Sequence, residues 1–352
     1  MTELHLVVPE GIDDPARPSG GNRYDRRVAT GLSELGWVVT EHPVSGGWPR
    51  PSTADLAGLD RLLGALPDHA RVVVDGLIGS AAAAVLTTQS GRLALATVVH
   101  LPLGVLGDAS VRREEAAALR QASRVVATSR WTRRWLAQTY RLGAVEVVEP
   151  GTDPAPVTAG SAAGGRLLTI APLSPEKGAD LLATALGRLG GAGAPTDSDW
   201  RLTWVGSPEV DPRCAEEVRR LLPGDRVRFT GALPAELVGE QLSAADLVVV
   251  PSRVETFGMV VTEALARGIP VVATGVGGLP ETMRGSGTRY PGAVVPAEDP
   301  HALAAALRRW LNDPGVRARW RAVALDRRSR LAGWGMTCER LSAILGTMEV
   351  AR

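Results

Sequence analysis

Short runs of apolar, mostly β-branched residues recur along nearly the whole chain, and longer segments rich in Ala, Leu and Arg separate them. In the first half the apolar runs fall at residues 4–9, 37–44, 71–75, 93–100, 124–129 and 145–149, with helical patterns such as 22–35 and 111–121 between them. Runs this short that are apolar throughout predict strands buried on both faces, the signature of parallel sheets. Strand–helix alternation then predicts right-handed βαβ crossovers and a doubly wound α/β sheet.

The rhythm breaks at residues 154–165, PAPVTAGSAAGG, a stretch of Pro, Ala and Gly without apolar periodicity that reads as a linker. Beyond it the alternation restarts, with predicted strands at 167–171, 202–205, 227–229, 247–251, 270–273 and 293–295. The expectation is an N-terminal domain over 1–153, a linker over 154–165, a second domain over 166–330 and a closing helix over 331–352. Two such domains of similar size leave a cleft. In sheets of this kind ligands bind beyond the carboxyl ends of the strands, so function is to be sought in residues that immediately follow strands.

At 352 residues the chain is long enough for two domains, and 45% hydrophobic residues supply two cores. A formal net charge of +1 argues against nucleic-acid binding, which needs a concentrated basic face. Cys214 and Cys338 give neither a metal spacing nor a disulfide framework. The first residues lack the basic start and long apolar middle of a signal peptide, and no later run approaches a membrane span, so the expectation is a soluble cytoplasmic protein.

The segment 247–281, LVVVPSRVETFGMVVTEALARGIPVVATGVGGLPE, carries the most chemistry. A strand ends near Pro251, a loop carries Arg253 and Glu255, and a helix begins near Phe257 or Gly258, with Glu263 eight positions after Glu255. Gly258 allows close backbone approach, and the free N–H groups of a helix start hold anions. A diphosphate there would have one carboxylate beside its sugar and the other toward its ribose, each an acceptor for hydroxyl pairs. Taken alone, a Glu-x7-Glu pair also fits a dipole-complementing Glu255 and a solvated Glu263.

This segment resembles, almost residue for residue, the Glu-x7-Glu signature of the family 4 glycosyltransferases, which have the GT-B fold of two Rossmann-like domains facing across a cleft. The resemblance covers essentially the whole chain and is most specific in the second half. It implies that Glu255 bonds hydroxyls of a donor sugar, Glu263 the ribose, and that the backbone of Phe257, Gly258 and Met259 lies by sugar and diphosphate. Pro172-Leu173-Ser174-Pro175-Glu176-Lys177-Gly178 is similar to the family's diphosphate-binding Gly-Arg-Leu…Lys-Gly segment. Lys177 fits that pattern, but Pro172 stands in place of the arginine, and Arg253 is the candidate substitute. Ser19-Gly20-Gly21-Asn22 resembles the family's phosphate- and acceptor-contacting Gly-Gly turn, and His100 its donor-sugar histidine. Thr230 and Gly231 resemble a loop against the nucleotide base, residues 148–153 the hinge turn, and 334–345 a last helix that crosses back to the first domain.

By this resemblance the chain is a retaining, metal-independent hexosyltransferase that uses a nucleotide-diphosphate sugar as substrate, with no cofactor and no resident metal. The acceptor, whether lipid, glycan or natural product, is left open. Asp197-Ser198-Asp199 spells the metal-binding Asp-x-Asp of another architecture, but it precedes its strand and reads as a surface loop. The basic, aromatic run 130–135 is compatible with a peripheral membrane contact or with Trp packed on the sheet and Arg in solvent. Three alternatives remain: a nicotinamide-dependent oxidoreductase, disfavoured because no Gly-x-Gly-x-x-Gly follows the first strand; a nucleotide-sugar epimerase or glycosyl phosphorylase on the same fold; and a catalytically silent nucleotide-sugar binder, to which Pro172 lends weight.

Overall fold

The computed structural model describes residues 2–14, 19–190, 199–222 and 224–349. It divides into two compact units. One contains the chain up to Asp14, Ser19–Gly151 and the stretch from Ala332 onward; the other contains Thr152–Leu331. In the first unit, β1 (Thr2–Pro9), β2 (Trp37–Val44), β3 (Arg71–Asp75), β4 (Ala94–Val99), β5 (Arg124–Ala127) and β6 (Val145–Val147) form a parallel sheet of order β2-β1-β3-β4-β5-β6. In the second, β7 (Arg166–Ile170), β8 (Arg201–Val205), β9 (Val227–Gly231), β10 (Leu247–Val250), β11 (Val271–Thr274) and β12 (Gly292–Val295) form a parallel sheet of order β12-β11-β10-β7-β8-β9. These are two Rossmann-like doubly wound sheets, and every strand expected from the apolar runs is present.

The apolar runs form strands because both faces are covered. Val72, Val74 and Leu95 pack with Leu59, Leu63 and Leu86 from flanking helices, and Leu247, Val249 and Val272 pack with Leu182, Leu186 and Leu307. Helix starts follow capping side chains. Ser19 Oγ accepts from Asn22 N at 3.0 Å and opens Gly20–Glu34, two residues before the sequence reading. Asp108 accepts from Ser110 and Val111 and opens Ala109–Leu119, again two residues early. A short polar side chain satisfies the first orphan amides, so the helix begins at the cap and not at the first apolar residue.

The closing helix, Trp334–Gly346, packs on Gly20–Glu34 within the first unit. Gly31 makes room for it: a Cβ there would lie 2.3 Å from Cys338 Sγ. Trp37 Nε1 donates to Ser342 Oγ at 2.9 Å, and Thr337 Oγ1 to the Glu149 carbonyl at 3.0 Å. Residues 154–165 carry no helix or strand yet are held on the second unit, where Thr158 N donates to Arg267 O at 3.0 Å and Asp246 accepts from both the N and Oγ of Ser161. Asp197 and Ser198 of the Asp-x-Asp stretch lie outside the described residues, while Asp199 is exposed before β8. In the helix Arg130–Tyr140, Leu136 and Tyr140 are buried, Trp135 packs edge-on to Tyr140 at 5.1 Å, and Arg130, Arg133 and Arg134 are exposed. No helix among the described residues is long and apolar enough to cross a membrane.

Trp204 tests how the second sheet is held: it is 1% exposed, stacks on Phe229 at 5.8 Å and donates to the Ala171 carbonyl at 3.0 Å. Trp204→Ala is expected to destabilise the second unit by about 3–5 kcal/mol, read as a lower denaturant midpoint; an unchanged midpoint would contradict this packing.

Candidate functional site

In the second unit, the order β9-β8-β7-β10-β11-β12 reverses direction between β7 and β10, so their carboxyl ends diverge into loops that leave a crevice. Lys177 follows β7 and Glu255 follows β10. Lys177 Nζ donates to Glu255 Oε2 at 2.9 Å, and the two side chains are 32% and 19% exposed, partly shielded yet reachable.

Backbone and guanidinium bonds stitch these loops together. Arg253 N and Val254 N donate to the Glu176 carbonyl at 2.8 and 3.3 Å. Arg253 spends all five of its N–H donors locally: on the Asp180 carboxylate at 2.6 and 2.8 Å, the Glu298 carboxylate at 2.5 and 2.9 Å, and the Pro175 carbonyl at 2.7 Å. Hydrogen bonding from Arg253 holds the Asp180 carboxyl below its ordinary pKa. Arg253, the candidate substitute for the arginine missing at Pro172, thus has its guanidinium held between two carboxylates and a carbonyl. Its place is that of a clamp.

Glycines set the remaining distances. Gly178 sits at φ +67°, where an added Cβ would lie 2.0 Å from the Pro251 carbonyl oxygen, so the loop after β7 can lie directly on the end of β10. Gly277, at φ +54°, comes equally close to the Glu255 carbonyl, and Gly278 N donates to that oxygen at 3.0 Å. The turn after β11 thus fixes the Glu255 backbone. Gly258, at φ +87°, delays the helix to Met259–Ala266 and gives it no side-chain cap. Its leading amides remain oriented donors beside Glu255, in the stretch Phe257–Met259. Glu263 lies within that helix and is half-buried. Thr230 and Gly231 end β9, two strands from β7, with Thr230 Oγ1 within 3.3 Å of the Trp204 carbonyl. The second unit therefore brings Lys177, Glu255 and Gly258 together, with Arg253 bound to the loop that carries Lys177.

In the first unit, Gly20 and Gly21 begin the helix after β1, and His100 follows β4. They meet: a Cβ on Gly21 would lie 3.2 Å from the His100 ring. His100 Nε2 lies 3.0 Å from Asp25 Oδ1 and 3.3 Å from Asp75 Oδ2, and Tyr24 packs edge-on to the ring at 5.1 Å. Asp25 and Asp75, both buried, were missed by sequence reasoning. Each left a signal. Asp25 lies one helical turn after Gly21, on the same face, and Asp75 is a lone carboxylate closing an apolar strand. Burial alone would lower the His100 pKa, but the two carboxylates outweigh it and raise it above the usual imidazole value. Burial raises the Asp25 carboxyl, against the pull of His100. Asp25, Asp75 and His100 are the group of possible metal ligands among the described residues, but they face one another, with the His100 Nε2 that a metal would need already engaged.

Residues 164–327 match the model of the glycosyl transferases group 1 family. The chain is 36% identical over 255 residues to a D-inositol 3-phosphate glycosyltransferase of Kineococcus radiotolerans, a match that covers 66% of the chain but 57% of that relative. It is 29% identical over 348 residues to D-inositol 3-phosphate glycosyltransferase 1 of Catenulispora acidiphila, covering 87% of the chain and 80% of that relative. Against the first of these, then, the match spans little more than half of the relative's length. Among solved structures, the Anabaena protein HepE in complex with UDP-glucose superposes with a TM-score of 0.75 at 17% identity, over 99% of this chain and all of that one, a likeness of fold.

The buried cluster predicts that His100 stays protonated through neutral pH. Its charge pairing with the carboxylates stabilises the fold below the free imidazole value and is lost as pH rises through the raised folded pKa. A histidine-selective NMR titration should show a midpoint well above 6.5, lowered by Asp25→Asn. A midpoint at or below 6.5 in the native chain would contradict the pairing.

Proposed function

We propose that this chain, which belongs to the group 1 glycosyl transferases, transfers a sugar from a nucleoside-diphosphate sugar to a hydroxyl acceptor, with retention of anomeric configuration and without a metal. The observation that carries the reading is the meeting of a cation, a carboxylate and an uncapped helix start at a sheet's switch point: Lys177, Glu255 and the amides after Gly258. The names of the relatives as D-inositol 3-phosphate glycosyltransferases support sugar transfer, and HepE's capture with UDP-glucose supports a nucleotide-sugar donor.

The chemistry follows from the charges. Breaking a glycosyl–phosphate bond puts negative charge on the diphosphate and positive charge on the sugar ring. Lys177 and the helix amides are fixed positive ends that offset the first. Glu255 is the partner of Lys177. A bound diphosphate takes over the ammonium and frees the Glu255 carboxylate to accept hydroxyl bonds from the sugar. Glu263 then serves the ribose, and Thr230 and Gly231 the base. Retention follows from attack by the acceptor on the face the phosphate leaves, the departing oxygen taking the proton. The nucleotide sugar is a substrate, so no cofactor enters, and the expected setting is the cytoplasm.

A second reading, a nucleotide-sugar binder without turnover, is favoured by one observation: Pro172 offers no charge, and the Arg253 guanidinium is held between two carboxylates. A donor screen with mass analysis of products separates the two. Transfer of a sugar supports the enzyme; tight nucleotide binding with no product from any acceptor supports the binder. For the enzyme, Glu255→Ala and Lys177→Ala should each lower turnover at least about a hundredfold with little change in melting temperature, and full turnover in either variant would overturn the site.

A further inference from the structure

A second charged concavity lies on the same unit, at the other edge of its sheet. The loop that joins the helix Leu279–Arg284 to β12 leads into the first residue of that strand, Gly292. Because β10, β11 and β12 are parallel, this loop sits at the amino edge of the sheet, and Glu255 leaves from the carboxyl edge. Its sequence, Arg284-Gly285-Ser286-Gly287-Thr288-Arg289, is a run of small and hydroxyl residues bracketed by arginines. With the helix Pro314–Arg328 and the residues just after it, the loop lines a cavity of about 810 Å³, within the size range of small-ligand sites.

Five arginines line it, Arg284, Arg289, Arg319, Arg327 and Arg330, with the carboxylate of Asp326 paired to Arg330 and that of Asp313, at the start of the same helix, 3.8 Å from Arg319. Several are held in place. Arg327 donates to the carbonyls of Arg330 and Thr282 at 3.1 and 3.4 Å and lies across Gly285, where a Cβ would come within 2.5 Å of its Cζ. Arg284 rests over the Tyr290 ring at 6.0 Å. Gly285 has φ +56°, and Gly287 backs onto Arg330 with 3.5 Å between a would-be Cβ and Nη1. The loop backbone is thus bedded on guanidinium groups, with the hydroxyls of the exposed Ser286 and Thr288 beside them. Guanidinium forks beside glycine-loop amides suit phosphate oxygens.

We propose that this cavity binds a phosphate-bearing anion, at a site separate from the one that holds Lys177 and Glu255. The same chemistry is offered by a free polyphosphorylated compound and by an anionic lipid headgroup. Hydrogen–deuterium exchange of the whole chain, read on peptides spanning 282–292 and 317–330, tests it with inorganic tripolyphosphate in one arm. The other arm compares phosphatidylglycerol with phosphatidylcholine vesicles. Slowed exchange with tripolyphosphate supports a free phosphate ligand; slowed exchange only with phosphatidylglycerol vesicles supports a headgroup. Combining Arg289→Ala with Arg319→Ala should raise the half-protecting concentration at least about tenfold. Lys177→Ala should leave it unchanged, so that failure of the transfer site is distinguishable from failure of this one. No protection in either arm, or undiminished protection in the double variant, overturns the proposal.

Discussion

The candidate site depends on the seam between the loops that leave β7 and β10. At that point the second sheet changes winding direction, and the divergence of connections leaves a crevice that main-chain groups alone do not close. Arg253 closes its lower part by binding Asp180, Glu298 and the Pro175 carbonyl at once. Glu176 receives the next two amides, and the Lys177–Glu255 pair ends the seam where a ligand can reach it. A half-exposed ion pair contributes little to stability by itself. In the proposed mechanism it is the pair that a bound diphosphate separates.

The first unit uses the same kind of position differently. There the reversal falls between β1 and β3, and the groups beyond the strand ends are Gly20, Gly21 and Asp75, joined by His100 from β4. Two buried carboxylates around one imidazole form a compact charge cluster with Nε2 turned inward. The carboxylates favour the charged imidazole, while burial and the neighbouring Asp75 push the Asp25 carboxyl up. The result is a rigid, cationic ring under the Gly21 turn, so a phosphate-friendly helix start and a positive side chain sit side by side.

The fold was legible in the sequence because buried parallel strands read as apolar runs: Val72–Val74 are the buried centre of β3, and Leu247–Val250 form the wholly buried β10. Helix ends were less legible, since Ser19 and Asp108 act by geometry that composition does not display. Lys177, Glu255 and Gly258 were readable because they follow strands within a dense local motif. The surroundings of Arg253 were not legible, for a physical reason. Its partners Asp180 and Glu298 lie 73 and 45 residues away, and a one-dimensional reading cannot tell a free guanidinium from a saturated one. Asp25 and Asp75 were hidden likewise, since only the fold shows that three distant residues share one pocket.

The central claim is that protein groups of the second unit, and no metal, hold a diphosphate at the β7–β10 switch point. A crystal structure of the chain with a nucleoside diphosphate, grown in the presence of a chelator, tests this most directly. The account predicts diphosphate oxygens about 2.7–3.2 Å from Lys177 Nζ and from the amides following Gly258, with Glu255 released from the lysine. A diphosphate bound away from these groups, or one that binds only when a divalent ion is restored, would contradict it.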